Sequence, residues 1–180
     1  MLYVARHGQT KWNALNKVCG ITDVDLTEKG IEQAKTLACR AQEKDINLII
    51  TSPLKRTVET SKIVSEFCNI PVQIDERLIE HDYGVFEGVD RKNEDFLRNK
   101  KCFAYKYPNG ESMLQVAYRV YGVIEDIRCK YKDTNVLIIA HGGVCRIINT
   151  YFEDMTNEEF FCFTFEIQML PLISKKATRY

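Results

Sequence analysis

The sequence predicts an α/β fold of three layers, an αβα sandwich whose central sheet is mostly parallel. Three observations carry that expectation. Short apolar runs alternate with stretches of helical periodicity along nearly the whole chain. The run Val136-Leu137-Ile138-Ile139-Ala140 is unbroken and β-branched, as a parallel strand buried on both faces should be. A length of 180 residues with 45% apolar content suits one domain, 1–180, that needs neither metal nor disulfide to hold its core.

The elements follow in order. Leu2 to Ala5 reads as a strand that stops abruptly at Arg6-His7-Gly8. Thr27 is a natural N-cap for a helix with Ile31, Ala34, Leu37, Ala38 and Ala41 at helical spacing. Leu48-Ile49-Ile50 is a short buried strand broken by Thr51-Ser52-Pro53. The helix after it carries Leu54, Val58, Ser61 and Val64 or Phe67 on one face, and Pro71 to Ile74 suggests another strand. Residues 75 to 95 are charged and irregular, with Gly84 and Gly88 marking turns. Asn109-Gly110 releases the longest helix, with Met113, Val116, Val120, Ile124 and Ile127 on its apolar face. The strand 136–140 ends at His141-Gly142-Gly143, and a helix resumes over Val144 to Phe152. Phe161 to Phe165 and Ile167 to Ile173 read as a final strand pair.

Composition narrows the function. Twenty-five basic and 25 acidic side chains balance, so the basic excess that a non-specific nucleic-acid binder requires is missing. No apolar run approaches the roughly 20 residues of a membrane span. The start, Met1 to Arg6, lacks the features of a signal peptide. Seven cysteines, odd in number and without a Cys-x-x-Cys pair, argue for reduced thiols in the cytoplasm and against a zinc site or a disulfide scaffold. No motif speaks to oligomeric state.

Three strand ends share one chemistry. In open α/β sheets, ligands bind beyond the carboxyl ends of the strands, where helices begin with unpaired N–H groups. The first strand yields Arg6-His7-Gly8, the second places Arg56 one turn into the next helix, and the strongest yields His141-Gly142-Gly143. If the strands are parallel neighbours, two arginines, two of the chain's three histidines and several amide donors meet on one rim. Arginine forks phosphate oxygens and glycine admits close backbone approach, so phosphate is the expected ligand. A histidine there can be the nucleophile itself, provided it is neutral, and nearby guanidinium charge keeps it so.

Arg6-His7-Gly8-Gln9-Thr10 with Asn13 resembles the signature of the histidine phosphatase superfamily, also called phosphoglycerate mutase-like. The likeness continues through Asp23 to Gly30 (D-x-x-L-T-x-x-G), Ser52-Pro53-Leu54-Lys55-Arg56 with Thr60, and Leu78 to Gly88 (L-x-E-x-x-x-G-x-x-E-G). Pro108 to Ser112 resembles the family's P-x-G-E-S turn, and His141-Gly142-Gly143 its terminal H-G-G. By that resemblance His7 takes the phosphoryl group, Arg6, Arg56 and His141 hold its oxygens, and Glu80 is the proton donor and later the base for water. Gly8, Thr10, Asn13, Gly20, His81, Tyr83 and Gly142 are the implied substrate-binding positions. His81 is expected at the pocket edge or facing solvent, because it neighbours Glu80 in an extended segment. Glu87 reads as a loop anchor. Lys100, Lys101 and Lys106 either form a lid that draws in anions or are simply a solvated face. The resemblance implies a histidine acid-type phosphatase, a phosphoric monoester hydrolase, acting on a small phosphorylated metabolite with neither metal nor cofactor.

Rival readings differ in their residues. Asp23-Val24-Asp25-Leu26-Thr27 matches the nucleophile motif of aspartate-based, magnesium-dependent phosphatases, but the segment before it is too short and glycine-broken for the buried strand they need. Cysteine-based phosphatases need an arginine six positions after the cysteine, which none of the seven has. A phospho-ligand-binding module without catalysis is disfavoured because every charged pocket position is filled. A mutase resembles a longer chain with an insertion after the Glu80 region, and its arginine for a second anionic group is replaced here by His81. Arg91 and Lys92 are the residues able to restore that charge.

Overall fold

The computed structural model describes residues 1–163 and 170–172. In chain order the elements are β1 (Leu2–Arg6), α1 (Lys11–Ala14), α2 (Glu28–Glu43), β2 (Leu48–Thr51), α3 (Lys55–Cys68), β3 (Val72–Ile74), α4 (Glu94–Lys100), α5 (Met113–Lys130), β4 (Val136–Ala140), α6 (Gly142–Phe152), α7 (Asn157–Cys162) and β5 (Leu170–Leu172). The strands form one sheet in the order β3-β2-β4-β1-β5. The first four run parallel, and β5 pairs antiparallel with β1.

The period of two along each strand divides the core. Val4, Ile50, Ile138 and Ala140 face α5 and α6 and pack against Val116, Val120, Ile124 and Ile148. Tyr3, Ala5, Ile49, Leu137 and Ile139 face the other way, onto Leu37, Ala38 and Ala41 of α2 and Val64 of α3. That is the expected three-layer sandwich. All five residues of β4 are buried because the strand lies between β1 and β2 with helices on both faces. A smaller third cluster, Val18, Phe86, Phe96 and Tyr107, holds the segment between β3 and α5.

Local chemistry sets the helix starts. Thr27 accepts from the Gly30 N–H, as expected, and Ser112 caps α5 in a reciprocal box with Gln115. Two differences from the sequence reading stand out. The buried face of α3 is not its apolar stripe: Arg56, Thr57, Thr60, Ser61 and Val64 face inward, while Phe67 is exposed. The threonines tolerate burial because their hydroxyls donate to backbone carbonyls, Thr57 to Ser52 O and Leu54 O, Thr60 to Arg56 O. Phe161 and Cys162 end the helix α7 rather than begin a strand, because Thr156 and Glu159 form a capping box just upstream. Of the expected last strand, Leu170–Leu172 is described, and 164–169 and 173 lie outside the described residues. Among the described residues no helix is long and apolar enough to cross a membrane.

Candidate active site

The parallel register sets Arg6 beside Ala140 and Thr51 beside Ile139. The ladder then continues past the strands, with His7 N–H donating to Ala140 O at 3.0 Å and Ser52 N–H to Ile139 O at 3.4 Å. His7, Ser52 and His141 therefore emerge side by side on one rim. The rings of His7 and His141 meet edge to face, their centroids 5.1 Å apart.

His7 is set up in one tautomer. Its Nδ1 lies 2.7 Å from Gly8 O, and only a protonated nitrogen can bond a carbonyl, so Nε2 carries the free lone pair. Burial, then the guanidinium groups of Arg56 and Arg6, hold its pKa well below the ordinary 6.5. The result is a neutral imidazole in a cationic setting, the state a nucleophile needs.

Arg56 supplies much of that setting. It is fully buried, donating from Nη1 to Thr22 O at 2.9 Å, from Nη2 to Gly20 O at 2.6 Å and from Nε to His141 Nδ1 at 3.2 Å. Among the described residues no salt bridge pairs it with a carboxylate, so its field acts on the two imidazoles. His141, with Nδ1 accepting from Arg56, uses Nε2–H on Ser52 Oγ at 2.7 Å. Both its nitrogens are thus engaged. The resemblance has His141 hold a ligand oxygen; here its two nitrogens bond Arg56 and Ser52.

Arg6 lines the cavity beside His7, and among the described residues its buried Nε has no partner. Such an orphan donor, costing about 1–3 kcal/mol when left unmet, is what an incoming oxyanion would satisfy. Asn13 also lines the cavity, although its Oδ1 is taken by Thr10 N–H in the capping box of α1.

Three implied substrate-binding positions turn out to shape the site instead. Thr10 is wholly buried, its hydroxyl accepting from Asn13 N–H. Gly8 gives its N–H to Thr60 Oγ1, and a Cβ there would collide with Gly30 O, so it lets the catalytic loop lie against the start of α2. Gly20 is pressed against Glu87, whose carboxylate receives the N–H groups of residues 20, 21 and 22. Glu87 is the loop anchor that the sequence suggested.

Glu80 is buried yet borders the cavity. Its oxygens accept from His81 N–H (2.9 Å), Gly143 N–H (3.0 Å) and Val144 N–H (3.2 Å), which seats the carboxylate on the N-terminus of α6. Gly143 makes the approach possible, because a Cβ there would lie 2.6 Å from Glu80 Oε1. At Gly142, a Cβ would come no nearer than 3.6 Å to Arg6. His81 departs from expectation: it is fully buried, with Nε2–H donating to Glu111 O at 3.0 Å and its ring between Tyr83 and Tyr107. The alternation that turns Glu80 toward α6 turns His81 into this aromatic cluster rather than outward. Tyr83 lines the cavity, and burial beside Glu80 holds its phenol protonated, well above its ordinary pKa.

The cavity measures about 150 Å³. It is lined by Arg6, His7 and Glu80, by the apolar side chains Val18 and Phe96, and by three further cations, Arg91, Lys100 and Arg146. Lys101, Lys106 and Lys92 are exposed and do not line it. Arg146 went unread in the sequence, although it stands one turn beyond the glycine pair on α6, at i+3 and i+4, a spacing that shares a face.

A neutral, hydrogen-bonded histidine flanked by guanidinium groups thus stands at the carboxyl ends of the parallel strands, where α/β folds bind their ligands. The profile of the histidine phosphatase superfamily (branch 1) matches residues 2–171, and the chain belongs to that family. It is 33% identical over 147 residues to phosphoserine phosphatase 1 of Hydrogenobacter thermophilus, covering 78% of this chain and 70% of that one. It is 34% identical over 148 residues to the "Probable phosphoglycerate mutase GpmB" of Escherichia coli O1:K1, covering 78% and 69%. The solved structure of YhfR from Bacillus stearothermophilus superimposes with a TM-score of 0.82 at 31% identity, covering 91% of this chain and 85% of that one. Phosphatases and mutases both occur among these relatives.

Proposed function

We propose that the protein is a metal-independent phosphomonoesterase of the cytoplasm that acts on small phosphorylated metabolites through a phosphohistidine on His7. The observation that carries this reading is the tautomer of His7, with Nδ1–H spent on Gly8 O and Nε2 left as an unprotonated lone pair beside an unpaired guanidinium. In the first step Nε2 attacks phosphorus, the bond to the ester oxygen breaks, and Glu80, entering the cycle as the carboxylic acid, passes that oxygen its proton. In the second, Glu80 takes a proton from water as its oxygen attacks the phosphohistidine, releasing inorganic phosphate and restoring neutral His7. Arg6 and Asn13 meet the phosphoryl oxygens, and the field of Arg56, relayed to both imidazoles, stabilises charge developing in the transition state.

A second reading, return of the phosphoryl group to another hydroxyl as in a mutase, is favoured by the further cations that line the cavity, Arg91, Lys100 and Arg146, which can retain an anionic alcohol there. One experiment separates the two: purified protein with small phosphomonoesters in EDTA, scoring free phosphate and phosphate shifted between positions. Free phosphate is expected, falling roughly 10,000-fold or more in His7→Ala. Full turnover in that variant removes His7 from the mechanism, and inhibition by EDTA that magnesium reverses revives the aspartate-based alternative.

A further inference from the structure

The turn from Pro108 to Ser112 takes no part in the chemistry above, yet it lies against the segment that carries Glu80. Glu111 N–H donates to Asp82 O at 3.0 Å, and Val85 N–H donates to Pro108 O at 3.1 Å. A Cβ at Gly110 would stand 2.3 Å from Asp82 O, so the turn can approach this closely only with glycine there. The carboxylate of Glu111 accepts from Asp82 N–H at 3.2 Å, and its carbonyl accepts from the His81 ring. Arg119, on α5, reaches the same segment. Its Nη1 donates to Arg77 O and Ile79 O, both at 2.6 Å, and its Nη2 to Glu80 O at 3.2 Å. Its remaining donors fork the carboxylate of Glu111, Nε to Oε1 at 3.0 Å and Nη2 to Oε2 at 2.9 Å. A guanidinium has five N–H donors, and all five are spent here. Neither residue lines the cavity.

Resting on the reading of Glu80 as the proton donor, we propose that Arg119 and Glu111 are positioning residues, which hold the main chain of residues 77–82 on α5 so that the Glu80 carboxylate meets the leaving oxygen. Glu80 is then fixed from two sides. Its carboxylate is seated on the N-terminus of α6 by the N–H groups of Gly143 and Val144, and its carbonyl hangs from Arg119. The first anchor alone leaves the main chain free to pivot, and a displacement of an ångström in a catalytic group is felt in the rate. The pair is also well enclosed, with 14% of the Arg119 side chain and 25% of the Glu111 side chain exposed, so neither partner is readily replaced by water. Lysine cannot substitute for Arg119, because its three donors leave from one point and cannot span three carbonyls and a carboxylate. Glutamine cannot substitute for Glu111, because it sets an amide N–H₂ where Asp82 N–H and Arg119 need an acceptor.

The test sets alkyl against aryl phosphomonoesters, since only the alkyl leaving oxygen depends strongly on a well-placed acid. Arg119→Lys and Glu111→Gln should each lower kcat on alkyl phosphates about tenfold or more, and on aryl phosphates by less than about threefold, with KM little moved. Damage to the fold removes active protein and lowers both classes alike, so it cannot produce that split. In a Glu80→Gln background Arg119→Lys should cost less than about threefold on alkyl phosphates, because no acid is left to misplace. Equal losses on the two classes in both variants, no loss in either, or an undiminished cost in the Glu80→Gln background overturns the proposal. Glu80→Gln alone tests the reading beneath it. If that variant shows the alkyl–aryl split and the other two do not, the acid stands and the clamp falls. If it shows no split, the acid reading falls and amide hydrogen exchange over residues 77–82 decides the clamp. Exchange about tenfold faster in Arg119→Lys then supports the clamp, and unchanged exchange overturns it.

Discussion

Two sets of polar groups at and behind one small cavity are built on different principles. Around His7 they are bound by hydrogen bonds to their neighbours: His7 to Gly8, Arg56 to two carbonyls and His141, His141 to Ser52, Glu80 to α6. The cations Arg91 and Arg146 reach the cavity from a loop and from α6, held by backbone carbonyls, and among the described residues neither enters a salt bridge. The difference teaches where tolerance lies. A group whose every donor and acceptor is committed cannot shift without leaving a buried polar atom unmet, whereas a partly solvated cation can move or be exchanged at small cost.

Perturbing the hydrogen-bonded set around His7 should therefore act strongly on turnover. Glu80→Gln is expected to slow alkyl phosphates about 100-fold or more and aryl phosphates much less, because an aryl leaving oxygen needs little protonation. Steady-state kcat on both classes checks this, and equal losses argue against Glu80 as the acid.

The two glycines that open α6 sharpen the contrast at smaller scale. Gly143→Ala drives a methyl group into the Glu80 carboxylate and should cost roughly tenfold or more in kcat, since displacements of an ångström in a catalytic group are felt at that level. Gly142→Ala meets Arg6 only at ordinary contact distance and should change kcat by less than about threefold. Similar kcat in the two variants would show that Glu80 is not tightly seated.

Protonation offers a gentler probe. The rings of His7 and His141, lowered below 6.5 by burial and by Arg56, should show no NMR titration midpoint at or above that value. The sign for stability follows. With the folded pKa below the unfolded one, the unfolded chain takes up protons first as pH falls, so stability present above about 6.5 is lost as pH drops toward the folded values. A midpoint near 7 for His7 would mean that the guanidinium field does not reach it.

How much of this was legible in the sequence follows the same division. β1, β2 and β4 announced themselves as apolar runs, and their final residues, Arg6, His7 and His141, were found by position alone. Thr27 and the apolar face of α5 were equally plain. The face of α3 was misjudged because Arg56, Thr57 and Thr60 point inward, and no hydrophobic period marks polar residues satisfied by carbonyls. α1, α4 and α7, of 4, 7 and 6 residues, are too short to show a period and were missed for that reason. His81 could not be placed because strand alternation tells which residues point apart, not which of the two sides is solvent. Arg146 lay within reach of helical spacing from Gly142 and Gly143, but nothing in the sequence says that Lys100 would arrive opposite it.

The central claim is that His7 carries the phosphoryl group, and intact-mass and peptide analysis of protein quenched in base after brief exposure to a reactive phosphomonoester tests it most directly. A phosphoryl adduct confined to His7, formed at least as fast as turnover and cleared when substrate is exhausted, is the predicted result. Steady release of phosphate with no adduct at any time point, or an adduct on an aspartate instead, would contradict the account.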